Sequence, residues 1–120
     1  MKICITAKSP SSLSEMEHDF EKCTYFTLFV EGSMGFEATI NNKENNPVQL
    51  LISKGVNIVI TKNIGLQSLR ELQNAQIEVF TDSSQLITDA LYKFREGKLK
   101  PVQKQNLVQS GLKDVPLKSI

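Results

Sequence analysis

The chain has 120 residues, enough for one domain with a real but modest core. Its 40% apolar content lies well above disordered compositions, and a formal charge of +1 creates no strong field for nucleic acid or an anionic membrane. No apolar run approaches the roughly 18 residues of a membrane span, and Met1-Lys2 leads straight into Ile3-Cys4-Ile5 with no signal-peptide pattern. A cytoplasmic protein without a nucleic-acid or membrane partner is expected.

Lys2 to Thr6 sets apolar residues among β-branched ones and predicts a strand. Ala7 to Lys22 opens with the breaker cluster Ser9-Pro10-Ser11-Ser12, carries many charges, and reads as a long loop with at most one helical turn. Long loops are uncommon in compact domains and are often functional. Tyr25 to Glu31 is the clearest strand; both its faces are largely apolar, which predicts cover on both sides. Gly32-Ser33-Met34-Gly35 then makes a hairpin loop, and Phe36 to Asn41 returns antiparallel.

Asn46 as cap, Pro47 at the first helical position and Gln49 in the capping-box place predict a helix that Lys54-Gly55 ends. Val56 to Thr61 is a buried strand, Gly65 to Asn74 a helix with Leu66, Leu69 and Leu72 at intervals of three, and Ile77 to Phe80 a short strand. Ser83 or Ser84 caps a third helix running to about Arg95, with the stripe Leu86, Ile87, Ala90, Leu91 and Phe94. Gly97 closes it. The order β-β-β-α-β-α-β-α, with right-handed crossovers, gives a mixed five-stranded sheet of order 3-2-1-4-5 with three helices. That is an α/β, ribonuclease-H-like, three-layer fold. Residues 1–99 form the single domain, and residues 100–120, polar and broken by Pro101, Gly111 and Pro116, form a mobile tail.

With these elements in place, the sequence resembles the dinitrogenase iron-molybdenum cofactor biosynthesis family, of the NifX and NifB C-terminal-domain kind, from about Met1 to Leu99. The resemblance rests on Met1-Lys2-Ile3-Cys4-Ile5, on Asp19-Phe20-Glu21-Lys22-Cys23-Thr24-Tyr25-Phe26, on Lys54-Gly55-Val56-Asn57-Ile58-Val59-Ile60, on Lys62-Asn63-Ile64-Gly65 and on Phe94-Arg95-Glu96-Gly97-Lys98-Leu99, in that order and spacing. It implies a small binding or carrier protein for an iron–sulfur or molybdenum–iron–sulfur cluster, with a protein partner in cluster delivery. Two segments depart from the family pattern. Glu21 replaces a loop glycine and Asp19 a His or Arg, with His18 displaced by one. The stretch before the first helix is shortened to Asn45-Asn46-Pro47. Both segments are ones the family would use to touch a cluster.

Open α/β sheets bind ligands beyond the carboxyl ends of their parallel strands, where strand order reverses. Here that point lies between the first and fourth strands. The loops Ala7 to Lys22, Asn41 to Asn46, Lys62 to Gly65 and Thr81 to Ser84 converge there, and the Gly32–Gly35 hairpin lies at the opposite end. Lys8, Lys22, Lys43 and Lys62 stand in the first three loops, and Gly65 opens a helix whose N–H groups suit an anion. The candidate contacts to an anionic cluster or small anion are Lys8, Lys22, Cys23, Lys62, Asn63 and Gly65. The alternative is ordinary surface lysines, since Glu15, Glu17, Asp19, Glu21, Glu44 and Asp82 share these loops.

Cys23 is the candidate soft metal ligand, expected to be the more reactive thiol because Lys22 favours its thiolate. His18 is its candidate companion, though two ligands do not complete a tetrahedral site. The alternatives are a buried, inert cysteine and a solvated histidine. Cys4 lies within a strand and reads as core. No nucleophile elbow, phosphate loop or dinucleotide fingerprint occurs, and the first strand has no carboxylate for a two-metal nuclease. No enzymatic activity is expected. The competing reading is a protein-interaction or regulatory module that keeps the fold and has lost the cofactor.

Overall fold

A computed structural model describes residues 1–41 and 46–102. The expectations for Lys43, Glu44 and Asn45, and for the tail from residue 103 onward, fall outside these described residues. The elements are β1 (Lys2–Ala7), β2 (Tyr25–Val30), β3 (Phe36–Ile40), α1 (Pro47–Ser53), β4 (Ile58–Thr61), α2 (Leu66–Asn74), β5 (Glu78–Thr81), α3 (Ile87–Arg95) and β6 (Lys100–Pro101).

The period-two pattern of β1 sends alternate side chains to two separate cores. Cys4 joins Phe26, Leu28 and Val59 beneath α1 and α2, whose Val48, Leu51, Leu66, Leu69 and Leu72 close that layer. Ile3, Ile5 and Ala7 join Phe29, Ile58 and Ile60 beneath α3, which contributes Ile87, Ala90 and Leu91. Helices on both faces of a mixed sheet make three layers. β1 pairs antiparallel with β2 and parallel with β4, and β4 pairs parallel with β5. Among the described residues, no helix is long and apolar enough to cross a membrane.

The helix punctuation acts where expected in α1. Asn46 Oδ1 accepts the Val48 N–H at 2.8 Å, Pro47 follows, and Gly55 supplies the left-handed stop at φ +76. The start of α3 differs. Neither Ser83 nor Ser84 caps it, and the helix begins only at Ile87. The reason is tertiary: Gln85 O accepts the Met16 N–H at 2.7 Å and the Ile87 N–H donates to Ser14 O at 3.0 Å, which holds Leu86 extended against the first loop.

Among the described residues the sheet has six strands, in the order β3-β2-β1-β4-β5-β6, where the sequence predicted five. Gly97, at φ +72, turns the chain after α3, and Lys100–Pro101 then pair antiparallel with Thr81 and Phe80. The Val102 N–H donates to Val79 O at 3.1 Å, and its side chain packs on the core under α2. Residues 100–102 are thus bonded to β5. Here the turn geometry outweighs the polar composition, because β5 would otherwise leave a ladder unpaired.

The loop of residues 8–24 contains no helical turn. It is pinned to both sides of the sheet: Met16 is buried in the α3-side core, and Phe20 and Cys23 are buried in the opposite one. Met16→Ala is expected to cost about 2–5 kcal/mol, the range for truncating a buried Met in a core. Urea unfolding monitored by circular dichroism measures this; a loss below roughly 0.5 kcal/mol, the size of a surface substitution, would mean that the loop is not docked.

Candidate functional site

At the carboxyl ends of β1 and β4, two buried threonines meet. The Thr6 hydroxyl donates to Glu17 O at 3.0 Å and lies 3.4 Å from the Thr61 hydroxyl, which donates to Asn63 O at 3.2 Å. Buried hydroxyls need partners inside the protein, and two loop carbonyls supply them. The main chain continues the connection. Glu17 N–H donates to Thr6 O at 3.1 Å, Phe20 N–H to Asn63 O at 2.9 Å, and Asn63 N–H to His18 O at 2.9 Å. The first loop is thus bonded to the end of β1 and to the turn between β4 and α2, across the crevice where a ligand was expected.

The N-terminus of α2 faces the same loop. Gly65 is its cap residue, and the Gly65 N–H donates to Glu21 Oε2 at 2.7 Å. A side chain on residue 65 would place its Cβ 2.8 Å from that same oxygen, so the carboxylate lies directly on the glycine. A helix N-terminus stabilises a negative charge by about 0.3–1 kcal/mol at an exposed end. Here the protein's own carboxylate takes that position. Asn41, buried at the end of β3, holds the loop from behind through Nδ2 donating to Cys23 O at 3.0 Å.

The expected site residues separate into groups. His18 is 71% exposed, with Nδ1 3.2 Å from Asp19 Oδ1 and both ring nitrogens within 3.1 Å of the Asn63 side-chain nitrogen. Lys62 and Asn63 are half-buried beside it, and Lys22 is exposed. Lys8 stands on the surface in an ion pair with Glu15 at 3.2 Å. Of the two readings the sequence left open for Cys23, a soft ligand at the rim and a buried cysteine, the structure has the sulfur fully buried. The Cys23 thiol donates to Phe20 O at 3.3 Å. The adjacent Lys22 drew attention to charge, but Phe20 and Asn41 close over the sulfur. Cys4 is equally buried, and burial first, then the neighbouring Cys23, raises its thiol pKa well above the ordinary value. Among the described residues, no three His, Cys, Asp or Glu side chains converge to hold a metal ion.

Sequence reasoning did not assign roles to Thr6, Thr61 or Asn41. The signal was present for the threonines, since each stands at or next to the end of a predicted parallel strand. Asn41 required the fold, because its partners lie about twenty residues earlier. Glu21 was visible as a departure from a family glycine, but its partner Gly65 was not.

The family described as dinitrogenase iron-molybdenum cofactor matches residues 1–97. Among solved structures, the apo form of the orange protein from Desulfovibrio gigas aligns with a TM-score of 0.79 at 22% identity, covering 85% of this chain and 96% of that one. A Thermotoga protein provisionally named NifB aligns with a TM-score of 0.76 at 23% identity, covering 86% and 97%. A provisionally named dinitrogenase from Methanocaldococcus jannaschii gives 0.70 at 20% identity, covering 86% and 95%. At these identities the structures establish a shared fold. No protein of curated function matches the chain.

Two outcomes follow from this geometry. In native protein, a thiol reagent reacts with Cys4 and Cys23 only as fast as the fold opens, and both react at once in denaturant; rapid native labelling of Cys23 alone would show its thiol to be open. Glu21→Gln removes the carboxylate from the α2 N-terminus and lowers stability by roughly 0.3–1 kcal/mol, with faster hydrogen exchange at the Gly65 amide. An unchanged Gly65 exchange rate in Glu21→Ala, whose side chain cannot accept this hydrogen bond, would show that the contact does not form in solution.

Proposed function

Because the chain belongs to the dinitrogenase iron-molybdenum cofactor family, we propose that it is a small, non-enzymatic binding or carrier protein whose cargo is an anionic metal–sulfur cluster of the iron–molybdenum kind. The observation that carries this reading is the family match over residues 1–97, which takes in nearly all of the described fold. The cargo would approach the carboxyl ends of the parallel strands, the end of the sheet such folds use for ligands. Lys8, Lys22 and Lys62 offer positive charge there, Asn63 an amide, and Gly65 a backbone N–H once the Glu21 carboxylate is displaced from it. His18 stands at the surface of this end; Cys23 enters the reading only with the loop opened, because its thiol is sealed by Phe20 and Asn41. With no cluster of ligating side chains among the described residues, hydrogen bonds and lysine charge would hold the cargo. A protein partner for delivery belongs to the same proposal, as does a cytoplasmic location, for which two cysteines not joined in a disulfide speak. The expected ribonuclease-H-like kinship of the fold also stays within it, supported by the strand order.

A second reading has one specific observation in its favour. Glu21 places a carboxylate on Gly65, where the cargo's charge would go, and a fixed negative charge there repels an anion. A module of the same fold that works through protein contacts and no longer takes the cofactor would keep such a residue.

Protein purified without oxygen, analysed for iron and molybdenum and by visible absorbance, separates the two. An amide NMR titration with inorganic molybdate, with phosphate, and with iron plus sulfide then locates any site. The carrier reading expects absorbance from bound cluster and shifts gathered on residues 7–9, 22–23 and 62–65. Colourless, metal-free protein that stays so after reconstitution, with no shifts or shifts confined to residues 32–35, would overturn it and leave the interaction module.

A further inference from the structure

Among the described residues, the two edges of the sheet are finished differently. One ends in β6, two residues long, whose Lys100 and Pro101 bring a charge and a residue with no N–H, both of which discourage a further strand. The other edge is β3, Phe36-Glu37-Ala38-Thr39-Ile40, with no lysine and no proline. Its register against β2 is unbroken from Tyr25↔Ile40 to Phe29↔Phe36, so no bulge turns the edge away.

Its apolar side chains are open to water. Phe36 is 42% and Ile40 62% exposed, and Val30 and Met34 are exposed beside them. The register puts Phe36, Ala38 and Ile40 on the sheet face shared with Phe29 and Tyr25, where the Phe36 and Phe29 rings lie 6.2 Å apart. On the opposite face, Glu37 is held at 2.6 Å by Lys54, the residue that caps the end of α1, and this partner lowers its carboxyl from the ordinary value.

We propose that β3 docks against β3 of a second copy of this chain, antiparallel about a two-fold axis at Ala38. That centre uses all five residues of the strand. It sets Phe36 opposite Ile40 of the second copy and Glu37 opposite Thr39, so apolar residues meet on one face and no like charges oppose each other on the other. Centring the pair on Glu37 would oppose two carboxylates, and centring it on Thr39 would leave Phe36 beyond the strand. Lys54 already balances Glu37, so the strand's only charge does not protect the edge. A five-residue ladder buries little compared with stable dimers, so the association is weak and depends on concentration. This inference stands apart from the cargo reading and needs no ligand.

Sedimentation velocity of the full chain from micromolar to millimolar concentration tests it, together with hydrogen exchange at the same concentrations. The expected result is an average mass rising from 13.5 kDa toward twice that value, with amides of residues 36–40 slowed at high concentration. Ile40→Lys is expected to stay monomeric with an unchanged circular dichroism spectrum, and Tyr92→Lys, on exposed α3 surface, to associate like the unmodified chain. A constant monomer mass would overturn the proposal. So would association without β3 protection, undiminished association of a folded Ile40→Lys chain, or β3 protection only when a different protein is added. If Ile40→Lys fails to fold, the concentration dependence of β3 exchange in the unmodified chain decides.

Discussion

Strand β1 has neighbours on both edges, antiparallel β2 from Lys2↔Val30 to Ala7↔Tyr25 and parallel β4 from Ile3↔Ile58 to Ile5↔Ile60. From Ile3 to Ala7 none of its side chains reaches water. A strand enclosed on both edges and both faces leaves the chain free only at its ends. Adjacent antiparallel strands can be joined by two residues. Instead the chain lays residues 8–24 across the end of the sheet before starting β2. That excursion forms much of the structure around the switch point, and it exists because β1 and β4 end there with polar groups that must be satisfied.

The loop meets that requirement and a second one together. The Glu17 carbonyl accepts from the buried Thr6 hydroxyl, while the Phe20 N–H and the His18 carbonyl bond Asn63 in the turn after β4. Met16 and Phe20 meanwhile fill the two cores from opposite sides of the sheet. Opening the loop would expose both side chains and release several hydrogen bonds at once, each worth on the order of 1 kcal/mol net. Access to the strand ends is therefore coupled to the docking energy of the loop. The Glu21 carboxylate on Gly65 adds to that coupling, because the helix end that would attract an anion also holds the loop. Charge at this end is mixed: Lys8 is paired with Glu15, and Lys93 with Asp82.

Much of the fold was legible locally. The α1 boundaries followed from Asn46, Pro47 and Gly55, since a cap oxygen, a proline without an N–H and a glycine at positive φ act within a few residues of themselves. The five longer strands followed from apolar runs bounded by breakers, and their order from the handedness of crossovers. β6 was not legible, because a lysine and a proline carry no period; only the turn at Gly97 and the waiting edge of β5 make them a strand. The start of α3 was misplaced for the same kind of reason, since a serine beside a helical stripe cannot reveal that Gln85 and Ile87 are already bonded to Met16 and Ser14.

The amino-acid sequence by itself determined the family, the element types and the end of the sheet toward which the lysines and Gly65 gather. These depend on motif order, periodicity and chain direction, which are properties of the chain read in one dimension. Tertiary structure decided what those residues do. Cys23 became a sealed core thiol because Phe20 and Asn41 close on it, and Glu21 became the partner of Gly65, 44 residues away. Burial and the neighbours of a charge arise only when distant segments pack. A loop that reads as polar and open in sequence can therefore fill the crevice it was expected to border.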